Sequence, residues 1–275
     1  MRILITNDDG YRARGIQSLI KAVRPLGELT VIAPKTVQSG MSMAVTMGYK
    51  PIAVKHLKTL PGEDWWYLDG TPASCIKFGI DNILHPLKPD LVISGINHGS
   101  NAATASNYSG TVGAAMEGAI NGIPSIAVSL DDFSHDADFS AVEQILPGIL
   151  EKLIPNFSPR FGTSYNINFP NLPADKIKGV KAARMGIIHW EKEYLPYGKD
   201  FLDSRGHTPS TSDLEYVKAA LPGEDFYVMA GDIVENPGNL PDADHRLMSE
   251  GFVVVTPLNL DHTDTTELDR LCAII

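Results

Sequence analysis

The sequence predicts an α/β fold organised around a mainly parallel, open sheet. Three observations predict it. Short, largely apolar runs recur at 3–5, 29–33 and 91–93, as strands buried on both faces of a parallel sheet require, and the first is unbroken. The three runs lead into polar, glycine-bearing loops: Asn7-Asp8-Asp9-Gly10, residues 34–40, and Asn97-His98-Gly99. Between the first two runs lies a stretch of helical periodicity with short joints. Strand, helix and strand then form a βαβ unit whose crossover is right-handed.

The elements follow in order. Residues 15–26 read as a helix, because Ile16, Leu19, Ile20 and Val23 recur at i, i+3, i+4 and i+7 before Pro25 and Gly27 end the pattern. The strand at 29–33 is stopped by Pro34. Over 43–70, Val45, Ile52, Val54, Trp65, Trp66, Tyr67 and Leu68 indicate short strands of antiparallel type, with the tryptophans as packing. Thr71 as N-cap and Pro72 at the first helical position open a helix with Ile76, Ile80, Ile83 and Leu84 on its buried stripe. Residues 125–130 form a further strand. The acidic segment 131–139, with His135, reads as a solvated loop. Residues 140–153 form an amphipathic helix bent at Pro147, and 165–170 hold another strand ending.

Composition changes after about residue 175. Trp190, Tyr194, Tyr197 and Phe201 stand among charges, which indicates a projecting hairpin arm over 187–203 and an oligomer contact. A short helix is expected over 212–220, a strand over 226–229 and a last strand over 252–257, one edge of which Pro257 must end. The expected division is a core at 1–175 and, at 176–275, an arm, oligomerisation and C-terminal segment, all within one structural domain.

A chain of 275 residues with 43% hydrophobic and 20% charged content has ample material for a core. Its net charge of −10 argues against a nucleic-acid duplex as partner. It leaves open a phosphorylated small molecule, since a bound cation reverses the local field. Cys75 and Cys272 sit among apolar neighbours and read as core thiols of a reducing compartment. No leader pattern opens the sequence, and no apolar run approaches the ~18 residues of a membrane span, so a cytoplasmic location is expected.

The chemistry is expected at the strand ends. Adjacent carboxylates where a buried strand stops must be hydrated, paired or metal-bound. Asp8 and Asp9 can converge if the chain is already turning, which Gly10 permits. A plain turn with an aspartate cap accounts for the same residues. Ser39 is a candidate hydroxyl ligand, Lys35 a candidate charge partner, and Asn97 a candidate amide-oxygen ligand of a hard cation. His98 lacks the second imidazole or thiolate that zinc would need. Ser109, Gly110 and Thr111 open a helix of small residues, where free N–H groups and hydroxyls make a candidate phosphate cradle. Neither GxxxxGK nor GxGxxG is present. All-oxygen ligands select Mg²⁺, Mn²⁺ or Ca²⁺.

These residues also resemble a known family. Asn7-Asp8-Asp9-Gly10, Ser39-Gly40, Thr71-Pro72, the run 94–101, the run 108–115 and Thr256-Pro257-Leu258 are similar, in order and over nearly the whole chain, to the survival protein E family of 5'/3'-nucleotidases. One departure is Ser74, where related chains often carry an acidic residue. The resemblance implies a three-layer, Rossmann-like sandwich and a metal-dependent phosphomonoesterase acting on nucleoside 5'-monophosphates, with 3'-monophosphates as further candidates. It implies Asp8, Asp9, Ser39 and Asn97 as ligands of one divalent ion per subunit, Mn²⁺ or Mg²⁺, with Asp8 and Asp9 catalytic. Substrate-binding residues are expected at Asn7, Gly40, Asn101, Ser109, Gly110 and Thr111. It further implies a homodimer or homotetramer joined through the arm and an extended C-terminal segment.

The attacking group is either a water on the cation or Asp8 itself, and His98 and His245 are candidates for the leaving-group acid. A haloacid-type phosphatase would need an Asp-x-Asp that is missing here, and a receiver-like phosphate acceptor would be far shorter. A non-enzymatic cation- and phosphate-binding regulatory module is the remaining alternative.

Overall fold

A computed structural model describes residues 1–48, 51–134, 136–198, 200–202 and 211–275. His135 and, within the expected arm, Lys199 and Asp203 lie outside the described residues. The strands are β1 (Arg2–Thr6), β2 (Glu28–Pro34), β3 (Val54–Leu60), β4 (Glu63–Leu68), β5 (Leu91–His98), β6 (Ser125–Leu130), β7 (Thr163–Phe169) and β8 (Val180–Ala182), then β9 (Ile188–Glu191), β10 (Tyr194–Pro196), β11 (Tyr227–Met229), β12 (Asp232–Glu235) and β13 (Val253–Asn259). The helices are α1 (Arg14–Val23), α2 (Pro72–Phe78), α3 (Gly110–Ile120), α4 (Ser140–Leu153), α5 (Thr211–Lys218), α6 (Asp244–Ser249) and α7 (Thr265–Cys272).

The contacts divide the chain into two units. The first comprises Met1–Gly186 with Leu240–Ile275. Among its described residues nine strands form one sheet in the order β3-β4-β2-β1-β5-β6-β7-β13-β8. From β4 to β7 neighbouring strands run parallel, while β3 and β13 enter antiparallel. Alternation along β1 assigns the two faces. Ile3 and Ile5 pack with Ile16, Leu19 and Val23 of α1 and Val142, Leu146 and Leu150 of α4. Leu4 packs on the other face with Cys75 and Ile76 of α2 and Ala114 of α3. The result is the expected three-layer Rossmann-like sandwich.

Local chemistry explains several boundaries. The Thr71 hydroxyl accepts the Ser74 N–H and caps α2, with Pro72 in the first turn. Ser74 Oγ itself accepts the Thr46 N–H at 2.8 Å, which gives this residue a tethering task. Pairing of β13 with β8 stops at Val255, while pairing with β7 continues through Pro257 to Asn259. The proline therefore ends one edge only.

Two readings need correction. Over 43–70 the antiparallel expectation holds for β3 against β4, but β4 joins β2 in parallel. Cys75 is buried, whereas Cys272 is exposed, because α7 buries none of its residues. The apolar residues Leu268 and Leu271 of α7 are likewise exposed.

The second unit is Ile187–Asn239. It holds two short antiparallel ribbons, β9 with β12 and β10 with β11, together with α5. Tyr194, Tyr227, Met229 and Ile233 on these ribbons are exposed. Among the described residues, no helix is long and apolar enough to cross a membrane.

Candidate metal and phosphate site

Chain direction places the site. Strands β2, β1 and β5 are adjacent and parallel, so the loops after Pro34, Thr6 and His98 emerge at one rim. Strand order reverses between β1 and β5, and such a switch point opens a crevice at the carboxyl ends of the strands.

The loop after β1 is a tied turn. Asn7 is buried; its Nδ2 donates to the Gly10 carbonyl at 3.0 Å and its Oδ1 accepts the Gly10 N–H at 3.1 Å. Gly10 takes φ +96°, a conformation that favours glycine. Asn7 thus shapes the turn that carries the two carboxylates.

Three contacts join this turn to its neighbours. Asp8 is buried, and its carboxylate accepts the Thr111 hydroxyl at 2.5 Å and the Thr111 N–H at 3.2 Å. The Asp8 carbonyl accepts the Gln38 N–H at 2.7 Å, which pins the loop holding Ser39. Asp9 Oδ2 accepts the His98 N–H at 3.3 Å, one residue past Asn97. Four chain segments therefore meet at the carboxylate pair.

The start of α3 comes very close. A side-chain carbon at Gly110 would lie 3.0 Å from Asp8 Cβ and 3.1 Å from both Asp8 Oδ2 and the Gln38 carbonyl. A side chain there would make the carboxylate or the Gln38 carbonyl give way by a few tenths of an ångström. Ser109 caps the helix by accepting the Val112 N–H at 3.1 Å.

Electrostatics at the pair are unbalanced. Burial, and then the negative charge of Asp9, push the Asp8 carboxyl up to about 6 despite the Thr111 hydrogen bonds. Burial also raises the Asp9 carboxyl, against the opposing pull of His98. Neither aspartate makes an ion pair with lysine or arginine among the described residues. Lys35, considered above as a charge partner, pairs with Asp69 at 3.2 Å.

The residues fit a hard divalent cation. Two carboxylates short of positive charge stand with hydroxyl and amide oxygens at one rim. No group of three His, Cys, Asp or Glu side chains able to hold a metal occurs among the described residues, so neutral oxygens must complete such a set. Ser39 and Gly40 are exposed on the turn after β2, with Gly40 at φ +74°. Asn97 is the penultimate residue of β5, and its Nδ2 donates to the Gly99 carbonyl at 2.8 Å, which leaves Oδ1 as the side-chain atom able to act as a ligand.

The remaining candidates have partners of their own. The Asn101 Nδ2 donates to Ser129 Oγ at 2.8 Å, within the sheet's polar interior. His98 Nδ1 lies 3.0 Å from the Ser134 carbonyl, and its ring meets Phe139 edge-on. His245 Nδ1 lies 3.6 Å from Asp244 Oδ1.

Sequence reasoning missed Asp244 itself. This buried carboxylate accepts N–H groups from Ala103, Gly186 and His245 and the Thr256 hydroxyl. It also missed Asn166 and Asn168, which hold the Asn101 peptide. Polar residues at alternate positions of a buried strand were the available signal.

A parallel Rossmann-like sheet with a carboxylate pair and a helix N-terminus at its switch point defines a class of α/β protein, and such an arrangement can accommodate an anionic ligand beside a cation. Comparison with known proteins makes this specific. The family model of survival protein SurE matches residues 3–192. A 5'-nucleotidase SurE of Thermosipho melanesiensis is 39% identical over 98% of this chain and 96% of its own. One of Christiangramia forsetii is 37% identical over 95% of this chain and 92% of its own. The crystal structure of the SurE protein from Aquifex aeolicus superposes with a TM-score of 0.78 at 32% identity, covering 100% of this chain and 99% of that one. The chain belongs to the survival protein SurE family.

Proposed function

We propose that the protein is a metal-dependent 5'-nucleotidase, a phosphomonoesterase that releases phosphate from nucleoside 5'-monophosphates, with 3'-monophosphates as further substrates. Its relatives carry the 5'-nucleotidase name over nearly their full length. The observation that carries the reading is the Asp8–Thr111 contact, which joins the carboxylate pair to a helix N-terminus at one rim.

In this reading Asp8, Asp9, Ser39 Oγ and Asn97 Oδ1 hold one Mn²⁺ or Mg²⁺ per subunit. When bound, the ion supplies charge stabilisation and polarises a phosphoryl oxygen. Asp8 and Asp9 are the catalytic carboxylates. Thr111 holds Asp8 in place through its hydroxyl and N–H. Asn7 and Gly40 shape the loops beside the phosphate. Ser109, Gly110 and Thr111 present the α3 terminus to it. Asn101 adds an amide donor: its nitrogen carries two hydrogens, and Ser129 takes one. His98 and His245 are the candidates for giving a proton to the leaving oxygen.

Residues 1–175 act as the catalytic core, and 176–275 supply the arm, the oligomer contacts and a C-terminal segment whose β13 joins the core's sheet. The exposed aromatics of the second unit suit a homodimer or homotetramer. The reading includes a cytoplasmic location and excludes duplex nucleic acid and membrane as partners. The test is phosphate release from AMP and from p-nitrophenyl phosphate, with Mn²⁺ and with chelator. Release from AMP with Mn²⁺ alone is expected; release that persists in chelator, or none in either, overturns the reading.

A further inference from the structure

We propose that Asn166 and Asn168 of β7 are positioning residues for the substrate. They set the Asn101 peptide, and with it the loop that runs from Asn97 to Ser109. The proposal rests on the nucleotidase reading above. That loop links a candidate metal ligand to the helix cap beside the candidate phosphate site.

The Asn101 peptide is gripped from both sides. Its N–H donates to Asn168 Oδ1 at 2.8 Å, and its carbonyl accepts from Asn166 Nδ2 at 2.8 Å. Chemistry fixes which way each amide faces: a backbone N–H only donates and a backbone carbonyl only accepts. The Asn101 side chain adds a third hold by donating to Ser129 Oγ, and Ser129 lies opposite Asn168 in the β6–β7 register. Two residues further on, the Ala103 N–H donates to both Asp244 oxygens at 3.0 Å. Ala103 takes φ +56°, a left-handed conformation uncommon outside glycine. Such a backbone persists only where its surroundings over-determine it.

The two asparagines are poor choices for stability alone. They occupy alternate positions of one buried strand and share a face. Each spends one end on Asn101, while Asn166 Oδ1 and Asn168 Nδ2 have no protein partner. A buried polar atom without a partner is costly, and apolar residues fill the alternating positions Ile167 and Phe169 of the same strand. Local rules broken in this way mark functional sites. The function assigned here is preorganisation. A loop already fixed loses less freedom when phosphate binds, so binding is tighter. Neither asparagine touches the reacting atoms.

The experiment compares wild type with Asn168→Leu, Asn166→Leu and Asn168→Asp, the last of which keeps an oxygen acceptor for Asn101. It reads kcat and KM for AMP, the Mn²⁺ concentration for half-activation, the melting temperature and amide exchange across 99–109. Each leucine variant should raise KM by about tenfold, the upper worth of one net hydrogen bond. Mn²⁺ half-activation should stay at the wild-type value, Asn168→Asp should restore most of the KM, and exchange should accelerate at Asn101 and Ala103. Leucine variants with wild-type KM overturn the proposal. So does exchange that accelerates evenly over the whole sheet, which would mark a merely structural role. Wild type without activity on any nucleoside monophosphate refutes the nucleotidase reading separately. In that case unchanged loop exchange in Asn168→Leu still refutes the clamp, and local acceleration still supports it.

Discussion

Asp8 and Asp244 are both buried carboxylates, at opposite ends of the chain, and the protein treats them in opposite ways. Asp244 receives three backbone N–H groups and a hydroxyl. Asp8 receives the hydroxyl and N–H of one threonine and faces the charge of Asp9. The first is complete with protein atoms alone. The second is short of positive charge. Burial by itself therefore says little about role. On the proposed function, what separates the structural carboxylate from the functional one is whether the fold has finished neutralising it.

Substitution separates the two most sharply. Asp8→Asn should lower kcat/KM for AMP by ~10³-fold or more, since several kcal/mol of charge stabilisation depend on the site. Its melting temperature should hold or rise. Asp244→Ala should instead cost roughly 3–5 kcal/mol of stability, because it strands buried donors, and should appear in a denaturant titration. Equal losses of stability in both variants would erase the distinction.

Acidity gives the next contrast. Asp8 titrates near 6 when folded and near 3.8 when unfolded, so between these values the folded chain binds more protons. Its contribution to the stability of the metal-free protein is therefore present at acid pH and lost as pH rises through about 6. The span corresponds to roughly 3 kcal/mol. In chelator, the melting temperature of Asp8→Asn relative to wild type should climb from pH 4 to pH 7. A flat difference would mean that Asp8 is not strained by its surroundings.

The smallest effect should come from Thr111, whose side chain supports Asp8. Thr111→Val removes the hydroxyl donor and should lower kcat/KM about fivefold to tenfold, with Thr111→Ser restoring it, as one hydrogen bond to a charged group predicts. A loss as large as that of Asp8→Asn would move Thr111 from support to direct chemistry.

Much of the core was legible because its signals are local. The stripe of α1, the cap at Thr71 and the apolar runs of β1 and β5 each lie within a few residues of sequence. The turn at Asn7 and Gly10 was legible for the same reason. Asp244 was not, since its donors come from positions 103, 186, 245 and 256, and only the folded chain brings them together. The parallel entry of β4 was hidden by its short connection from β3, which looks like an ordinary hairpin. The ribbon pairing of β9 with β12 spans some forty residues of sequence and left no local trace.

The late position of Asp244 also bears on biosynthesis. In the order of synthesis Asp8 and Asp9 precede Thr111 by about a hundred residues and Asp244 by well over two hundred. Asp244, the anchor for the Ala103 amide, is made about 130 residues after Thr111. A nascent chain thus carries its paired acids long before the segment beside them is fastened.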